Sequence, residues 1–413
     1  MIGSTQTAVA TPTWSVSLVD TQAEFNRLQE TWNSLLMAGP RPVPFLTWEW
    51  VSTWWKHFRG DSRLFVLVAR DEKENVVGLA PLKIAVRRAF GIVPVRTVEF
   101  LGHRGSAVCA DHLDFLASRD DRQTIVNSLV EAVFVHQHEW DAVVLTDLAE
   151  DSLVPEAFAR RSAAEGWTSV EGPSEVCPYI TLAGDWNTFL HSMKKKHRWF
   201  VRRKRELLAQ DHSVHFTNEV PTGAIPRQFE VLKHLHGLSR ARRGGSGNFR
   251  LSDYLAFHHH LAERMAEAGF LYLATLTCDD RVVAVGYGFH VGRTLFYYQT
   301  GYDTAFAPRG VGGILLGMIV EDAADRLRAT EVDLLRGNEE YKYFWTQVER
   351  RTRTVLVWRR RLAGRTSEAE FLLRRGLSPW KRRVGTLWKS ASQRFRSAFS
   401  DAVMHTSQEK LQL

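Results

Sequence analysis

Residues 271–347 read LYLATLTCDDRVVAVGYGFHVGRTLFYYQTGYDTAFAPRGVGGILLGMIVEDAADRLRATEVDLLRGNEEYKYFWTQ, and their reading decides the fold. Leu271 to Thr277 and Arg281 to His290 are apolar runs separated by Cys278-Asp279-Asp280, a hairpin turn signal, and Thr294 to Thr300 adds a third strand rich in aromatics. A Gly-rich loop, Ala307-Pro308-Arg309-Gly310-Val311-Gly312-Gly313, then opens a helix with apolar residues at helical spacing: Ile314, Leu315, Met318, Ile319, Ala323 and Leu327. A short buried strand from Val332 leads into a dense polar loop and the aromatic cluster Tyr341 to Trp345. Glycines at a helix start leave backbone N–H groups bare. With the positive end of the helix dipole and the Arg309 side chain, they would suit a pyrophosphate. The spacing matches neither the dinucleotide fingerprint nor a P-loop, and Gly-rich turns also open helices for structural reasons alone.

Several of these motifs together, Gly301-Tyr302-Asp303, Pro308-Arg309-Gly310, Asp333-Leu334-Leu335-Arg336-Gly337 and Glu340-Tyr341-Lys342, resemble the CelD group of acyltransferases in the GNAT superfamily. Weaker matches lie around Lys196 to Leu207, at Leu235-His236 and from Gly245 to Phe249. In the phosphate loop Arg309 and Gly312 fit the superfamily pattern, while Ile314 stands where a second small residue belongs. The resemblance implies an α/β (α+β) fold of two tandem GNAT-like domains, as in the Fem-type aminoacyl transferases, each a mixed, mostly antiparallel sheet flanked by helices. It implies acetyl-CoA, or another acyl-CoA, as co-substrate, held in the C-terminal domain by Arg309, Gly310, Val311, Gly312 and Gly313. The N-terminal unit would shape the acceptor cleft.

Acyl transfer from a thioester needs a base for the acceptor's proton, N–H donors for the oxyanion and an acid for the departing thiolate. In GNAT proteins the strand before the phosphate loop, here Thr294 to Thr300, supplies the donors. Asp303, Glu339 and Glu340 are candidate bases, with His290 an outsider, and Tyr341 or Tyr343 the candidate acid. The Fem-type resemblance adds Lys342 at the reaction centre, whereas an ion pair with Glu339 or Glu340 would give that lysine a structural role.

At 413 residues and 44% hydrophobic composition the chain is globular and long enough for more than one core. We expect an N-terminal degenerate GNAT-like domain over 1–180, the acyltransferase domain over 181–362 and a basic helical tail over 363–413. The net charge of +8 is concentrated in that tail, with ten Lys and Arg against four Asp and Glu, so a basic face for nucleic acid is not favoured. Trp380, Val384, Trp388, Ala391, Phe395 and Phe399 form an apolar stripe there, suited to weak membrane-surface contact or to docking on the protein. The three scattered cysteines, the lack of a secretory pattern at the start and the absence of a spanning run predict a cytoplasmic protein, peripheral at the inner membrane face if the tail reaches it.

Elsewhere, Thr21 to Leu36 and Trp48 to Phe58 read as helices, the second with Trp50, Trp54 and Trp55 turned inward. Asp185 would cap one helix running through the cations Lys194 to Arg205, either a solvated face or a platform for phosphates, with Trp199 and Phe200 leaving RNA open. Arg240 to Gly247 is a flexible basic loop that could fold over substrate, and His258-His259-His260 are read as surface and groove residues. His103 to Ser106 with Asp111-His112 presents no third ligand at metal spacing, so no metal is expected. Three functions stay open: a CoA-dependent N- or O-acetyltransferase acting on a sugar or amino-sugar of exopolysaccharide or cellulose biosynthesis, an aminoacyl-tRNA-dependent transferase, and a non-catalytic assembly protein.

Overall fold

The computed structural model describes residues 14–103 and 108–374. The first half runs β1 (Ser15–Val19), α1 (Gln22–Arg27), α2 (Gln29–Ala38), α3 (Trp48–Phe58), β2 (Arg63–Leu64), β3 (Val66–Arg70), β4 (Val76–Ala80), β5 (Leu82–Ala89), β6 (Val93–Phe100), β7 (Leu116–Ala117), α4 (Arg122–Val135), β8 (Ala142–Leu148), α5 (Val154–Ala164) and β9 (Thr168–Glu171). The second continues β10 (Val176–Thr181), α6 (Trp186–Ser192), α7 (Lys195–Asp211), β11 (Val214–Thr217), α8 (Ile225–Arg242), α9 (Ser252–Glu267), β12 (Leu271–Cys278), β13 (Arg281–Val291), β14 (Thr294–Tyr302), α10 (Val311–Asp325), β15 (Glu331–Asp333), α11 (Glu340–Trp345), β16 (Glu349–Arg351) and β17 (Arg353–Trp358), and residues 362–374 are helical.

Side-chain caps set several helix starts: the Thr21, Thr47 and Asp185 oxygens accept the N–H groups of Glu24, Trp50 and Thr188. Two predicted helices are each broken. Thr21 to Leu36 divides at Leu28 into α1 and α2. The helix capped by Asp185 stops at Ser192, Met193 is extended, and the cations ride on a separate helix, α7.

Among the described residues three sheets form, two in the first half of the fold and one in the second. A four-stranded sheet has the order β1-β3-β4-β7, a six-stranded one β2-β5-β6-β8-β17-β9, and a seven-stranded one β11-β12-β13-β14-β15-β10-β16. The six- and seven-stranded sheets share a plan. Each is antiparallel except for one short parallel pair, β6 with β8 and β14 with β15, and a helix (α4 or α10) bridges that pair. The expected mixed, mostly antiparallel tandem architecture is therefore observed.

The two sheets exchange strands. β10 leaves the first half to lie between β15 and β16, antiparallel to both, and β17 returns from the second half to lie between β8 and β9. Residues up to 180 thus contribute a strand to the second sheet, and residues before 362 contribute one to the first. Nothing local in Val176–Thr181 or Arg353–Trp358 says which sheet will receive them, because a short apolar run satisfies either.

One hydrophobic cluster runs through both halves. Trp50, Trp54 and Trp55 of α3 are buried as expected, and Trp50 packs edge-on against Phe257 of α9 and Phe289 of β13, with ring centroids 5.5 and 5.9 Å apart. Burying an indole of about 200 Å² is worth at most about 5 kcal/mol. His258 corrects the surface reading of the histidine run: it is fully buried among Trp50, Tyr254, Tyr287 and Tyr298, and burial pushes its imidazole well below the usual range.

Candidate active site

The parallel pairing of β14 with β15 lasts three residues, Thr294 to Phe296 against Glu331 to Asp333. Beyond it the strands part. A bulge between Tyr287 and Gly288 leaves Tyr298 without an opposite residue and turns this end of β14. The edge of β14 from Tyr297 onward has lost its parallel neighbour, and Tyr297, Thr300 and Tyr302 line a cavity of about 370 Å³.

The Gly-rich loop closes one side of that cavity. Asp303 is buried and caps a 3-10 turn, Thr304–Arg309, its Oδ1 accepting the Ala305 N–H at 2.9 Å, and its other oxygen pairs with Arg281. Gly310 follows at φ 75°, the left-handed conformation that glycine adopts without strain. Its carbonyl accepts the N–H groups of Gly313 and Ile314 at 3.0 and 3.1 Å, and no side chain caps α10, so the first turn offers the N–H groups of Val311 and Gly312 to the cavity. A Cβ on Gly312 would stand 3.2 Å from the Tyr302 ring, while one on Gly313 would meet nothing within 4 Å, so this face of the loop is open to a ligand.

Among the described residues four cations line the same cavity, Lys204 and Arg205 from α7 and Arg242 and Arg243 from the end of α8, and no Asp or Glu does. Lys204 Nζ sits 3.5 Å from the Pro308 carbonyl, beside the loop. Arg205 pairs with Glu321 at 2.5 Å, yet its Nε and Nη2 are buried without a partner, and among the described residues no carboxylate pairs with Arg242 or Arg243. Uncompensated positive charge around bare N–H groups fits a diphosphate-bearing ligand such as the nucleotide end of CoA. Arg309, expected in this role, turns away: it pairs with Asp211 at 2.5 Å and does not line the cavity.

A second cavity of about 210 Å³ lies at the seam between the halves and shares Tyr297, Thr300, Tyr341 and Arg243 with the first. Cys109 and Asp111 enter it from the first half, and Arg240, Asn248, Arg336, Glu339 and Lys342 from the second. Arg336 locks the seam, its Nε donating to Asp111 at 2.5 Å, its backbone N–H to the other Asp111 oxygen at 3.0 Å and its Nη2 contacting Asp147 at 3.0 Å. Burial works against the Arg336 charge, but Asp111 and Asp147 outweigh it and hold the guanidinium ionised. Burial pushes the Cys109 thiol up to about 11, so at neutral pH it is a thiol and a poor nucleophile. Beneath, His112 Nε2 lies 3.0 Å from Asp333 Oδ2, both fully buried; burial would raise the Asp333 carboxyl, and His112 and Arg350 hold it below the usual range. Asp111, through its ion pair with Arg336, and His112, through its contact with Asp333, therefore join the halves. Among the described residues no group of three or more His, Cys, Asp or Glu could hold a metal ion.

Of the expected catalytic residues, Tyr341 stands where the two cavities meet. Burial, then Tyr297 and Glu339, keep its phenol above the ordinary range, although 38% of its surface is open to the cavities it borders. Lys342 lines the seam cavity but is buried, its ammonium donating to the carbonyls of Leu335, Arg336 and Gly337 at 2.9, 2.7 and 3.3 Å and pairing with Glu339 at 3.0 Å. Asp303 and Glu340 line neither cavity; one Asp303 oxygen caps its turn and the other pairs with Arg281 of β13, and Glu340 is exposed in the first turn of α11. The sequence reading missed Tyr297, Thr300 and the Asp111–Arg336–Asp147 lock. The bulge that re-aims β14 has no composition signal, and the lock joins Arg336 to residues 225 and 189 positions earlier. The cations of α7 and of the Arg240 loop were visible as runs, but not their meeting across one cavity.

Residues 195–343, a little over a third of the chain, match the family model described as an acetyltransferase (GNAT) domain. Among solved structures, the crystal structure of FemX is similar at a TM-score of 0.56 and 10% identity, covering 80% of this chain and 95% of that one. A conserved protein of unknown function from Bacteroides thetaiotaomicron VPI-5482 is similar at a TM-score of 0.51 and 12% identity, covering 84% of this chain and all of that one. At these identities the likeness is one of fold. A search of curated proteins returns no match.

Proposed function

With a GNAT acetyltransferase domain in residues 195–343, we propose that the protein moves an acyl group, acetyl in the simplest case, from acyl-CoA in the cationic cavity to an amine or hydroxyl in the seam cavity. The supporting observation is the junction: the acid-free cavity with four cations meets the seam cavity at Tyr297, Thr300 and Tyr341, where β14 has lost its parallel neighbour. The thioester supplies an activated carbonyl. The open edge of β14 would aim backbone N–H groups at that carbonyl oxygen, where charge develops. Tyr341, with its pKa raised, keeps its proton at neutral pH and is placed to give it to the departing sulfur. Glu339 is our candidate for taking the acceptor's proton, because Asp111, the other carboxylate of the seam cavity, is occupied by Arg336. In this reading Lys342 and Asp303 hold loops and do not touch the reacting atoms.

For the acceptor we propose a saccharide of exopolysaccharide or cellulose assembly, supported by the CelD-like motifs and by the polar lining of Asp111, Asn248, Arg336 and Glu339. Transfer from an aminoacyl-tRNA is the second reading, favoured by α7, where Lys195, Arg198, Arg202 and Arg203 surround Trp199 on the surface. Titration calorimetry with acetyl-CoA and with aminoacyl-tRNA, followed by thiol release in the presence of glucosamine, separates the two. Micromolar binding of acetyl-CoA, weakened about tenfold or more by Lys204→Ala or Arg243→Ala, is expected. Binding of tRNA alone would refute the CoA reading.

A further inference from the structure

The hairpin between β5 and β6 closes on the pair Ala89–Val93, so Phe90, Gly91 and Ile92 form its tip. Phe90 at φ 50° and Gly91 at φ 77° both adopt the left-handed conformation that bulky residues rarely take and that Asn-Gly usually supplies in a soluble hairpin. Here the tip presents apolar side chains outward: Phe90 is 48% exposed and Ile92 72%. The helix over 362–374 lies against the same hairpin. Phe371 and Ala363 share a small core with Ala89 and Val93, and the Glu370 carboxylate accepts the Phe90 N–H. Leu362, Leu372 and Leu373 of that helix are each more than half exposed.

Cations surround this apolar end. Arg88 on the hairpin, Arg360 and Arg361 at the entry to the helix and Arg365 within it are exposed, and among the described residues none of the four pairs with a carboxylate. A convex apolar tip ringed by unpaired arginines offers no groove to a peptide. It matches a soft anionic surface, which accepts protruding apolar groups and concentrates counter-charge at the same depth.

We propose that this end of the six-stranded sheet docks on an anionic lipid surface, Phe90 and Ile92 entering the interface and the four arginines lying at the headgroups. The tip and the seam cavity stand at opposite ends of β6, with Cys109 and Asp111 following its far end, so docking leaves the cavity open. Eight residues at about 3.3 Å each separate them by about 25 Å along the strand.

The test is sedimentation of the full-length chain with phosphatidylcholine vesicles, with and without phosphatidylglycerol. Binding that requires phosphatidylglycerol is expected, weakened at least about tenfold in the double variant Phe90→Asp/Ile92→Asp and about fivefold by Arg88→Ala. CoA affinity and Tm should not change. No preference for the anionic vesicles overturns the proposal. So does parental binding by the double variant, which would assign any binding to the stripe at 380–399. A changed oligomeric state or a lower Tm in the variant also overturns it, by showing that a second copy or another part of the chain covers this surface.

Discussion

Replacing Lys342 by Met separates a loop-holding lysine from one acting at the reaction centre. In the fold its ammonium satisfies three backbone carbonyls, of Leu335, Arg336 and Gly337, in a site closed to solvent. Met fills similar volume but donates nothing, leaving three acceptors without a donor at about 1 to 3 kcal/mol each. Allowing for relaxation, and for the half-exposed Glu339, whose ion pair adds little, the loss is about 3 to 4 kcal/mol. For a chain of this length that lowers Tm by about 5 °C. Scanning calorimetry of the parent, of Lys342→Met and of Lys342→Met/Glu339→Gln measures it. The single variant should melt lower, and neutralising Glu339 should recover little, because the carbonyls remain unpaired. Turnover should fall with the loop that carries Arg336. An unchanged Tm with turnover reduced about a hundredfold would refute this reasoning and place the lysine at the reacting atoms. Full recovery in the double variant would instead make the ion pair the dominant contact.

Gly312→Val should abolish CoA binding in calorimetry, since its branched side chain collides with Tyr302 or fills the cradle, whereas Arg309→Ala, which frees only Asp211, should change affinity less than about twofold. Gly301→Ala places a methyl carbon 2.6 Å from the Leu235 carbonyl carbon and against the His236 backbone, so α8 must lift from β14; a Tm drop of several degrees is expected by circular dichroism. His236, hydrogen-bonded to the Thr300 carbonyl at 3.1 Å, is pushed down to about 4 by burial. Between that value and the unfolded value of about 6.5 the unfolded chain binds more protons, so stability present above pH 6.5 is lost as pH falls toward 4, by at most about 3 kcal/mol. Urea titrations across that window should show a shallower slope in His236→Gln.

Within the second sheet β12 to β15 were legible because they follow one another in the chain. Leu271 to Thr300 is a meander whose turn residues and alternation are local, and the glycines of 310–313 mark where α10 begins. The open start of α10 was legible too, but the cations beside it were misplaced. Arg309 is adjacent in sequence and points to Asp211, whereas Lys204 and Arg243 arrive from α7 and α8 by tertiary packing. Lys342 shows the same limit: the sequence offered the reaction centre or an ion pair with Glu339 or Glu340, and the carbonyls that its ammonium meets come from a turn that only the folded chain makes, with Leu335 at φ 58°. The stripe at 380–399 lies outside the described residues.

The crossing of β10 and β17 also bears on how the protein is made. A ribosome that has released residues up to β9 has produced a six-stranded sheet with an empty lane, β8 and β9 standing apart with Val143 and Leu145 beside the gap. The strand that fills it is the last of the described strands to be made, about 180 residues later, at roughly 10 to 40 seconds of elongation. Through that interval the nascent first half carries two unpaired edges of the kind that recruit foreign strands. Its completion waits until the strands of the second sheet have been made, so a chain cut before Arg353 leaves the six-stranded sheet one strand short.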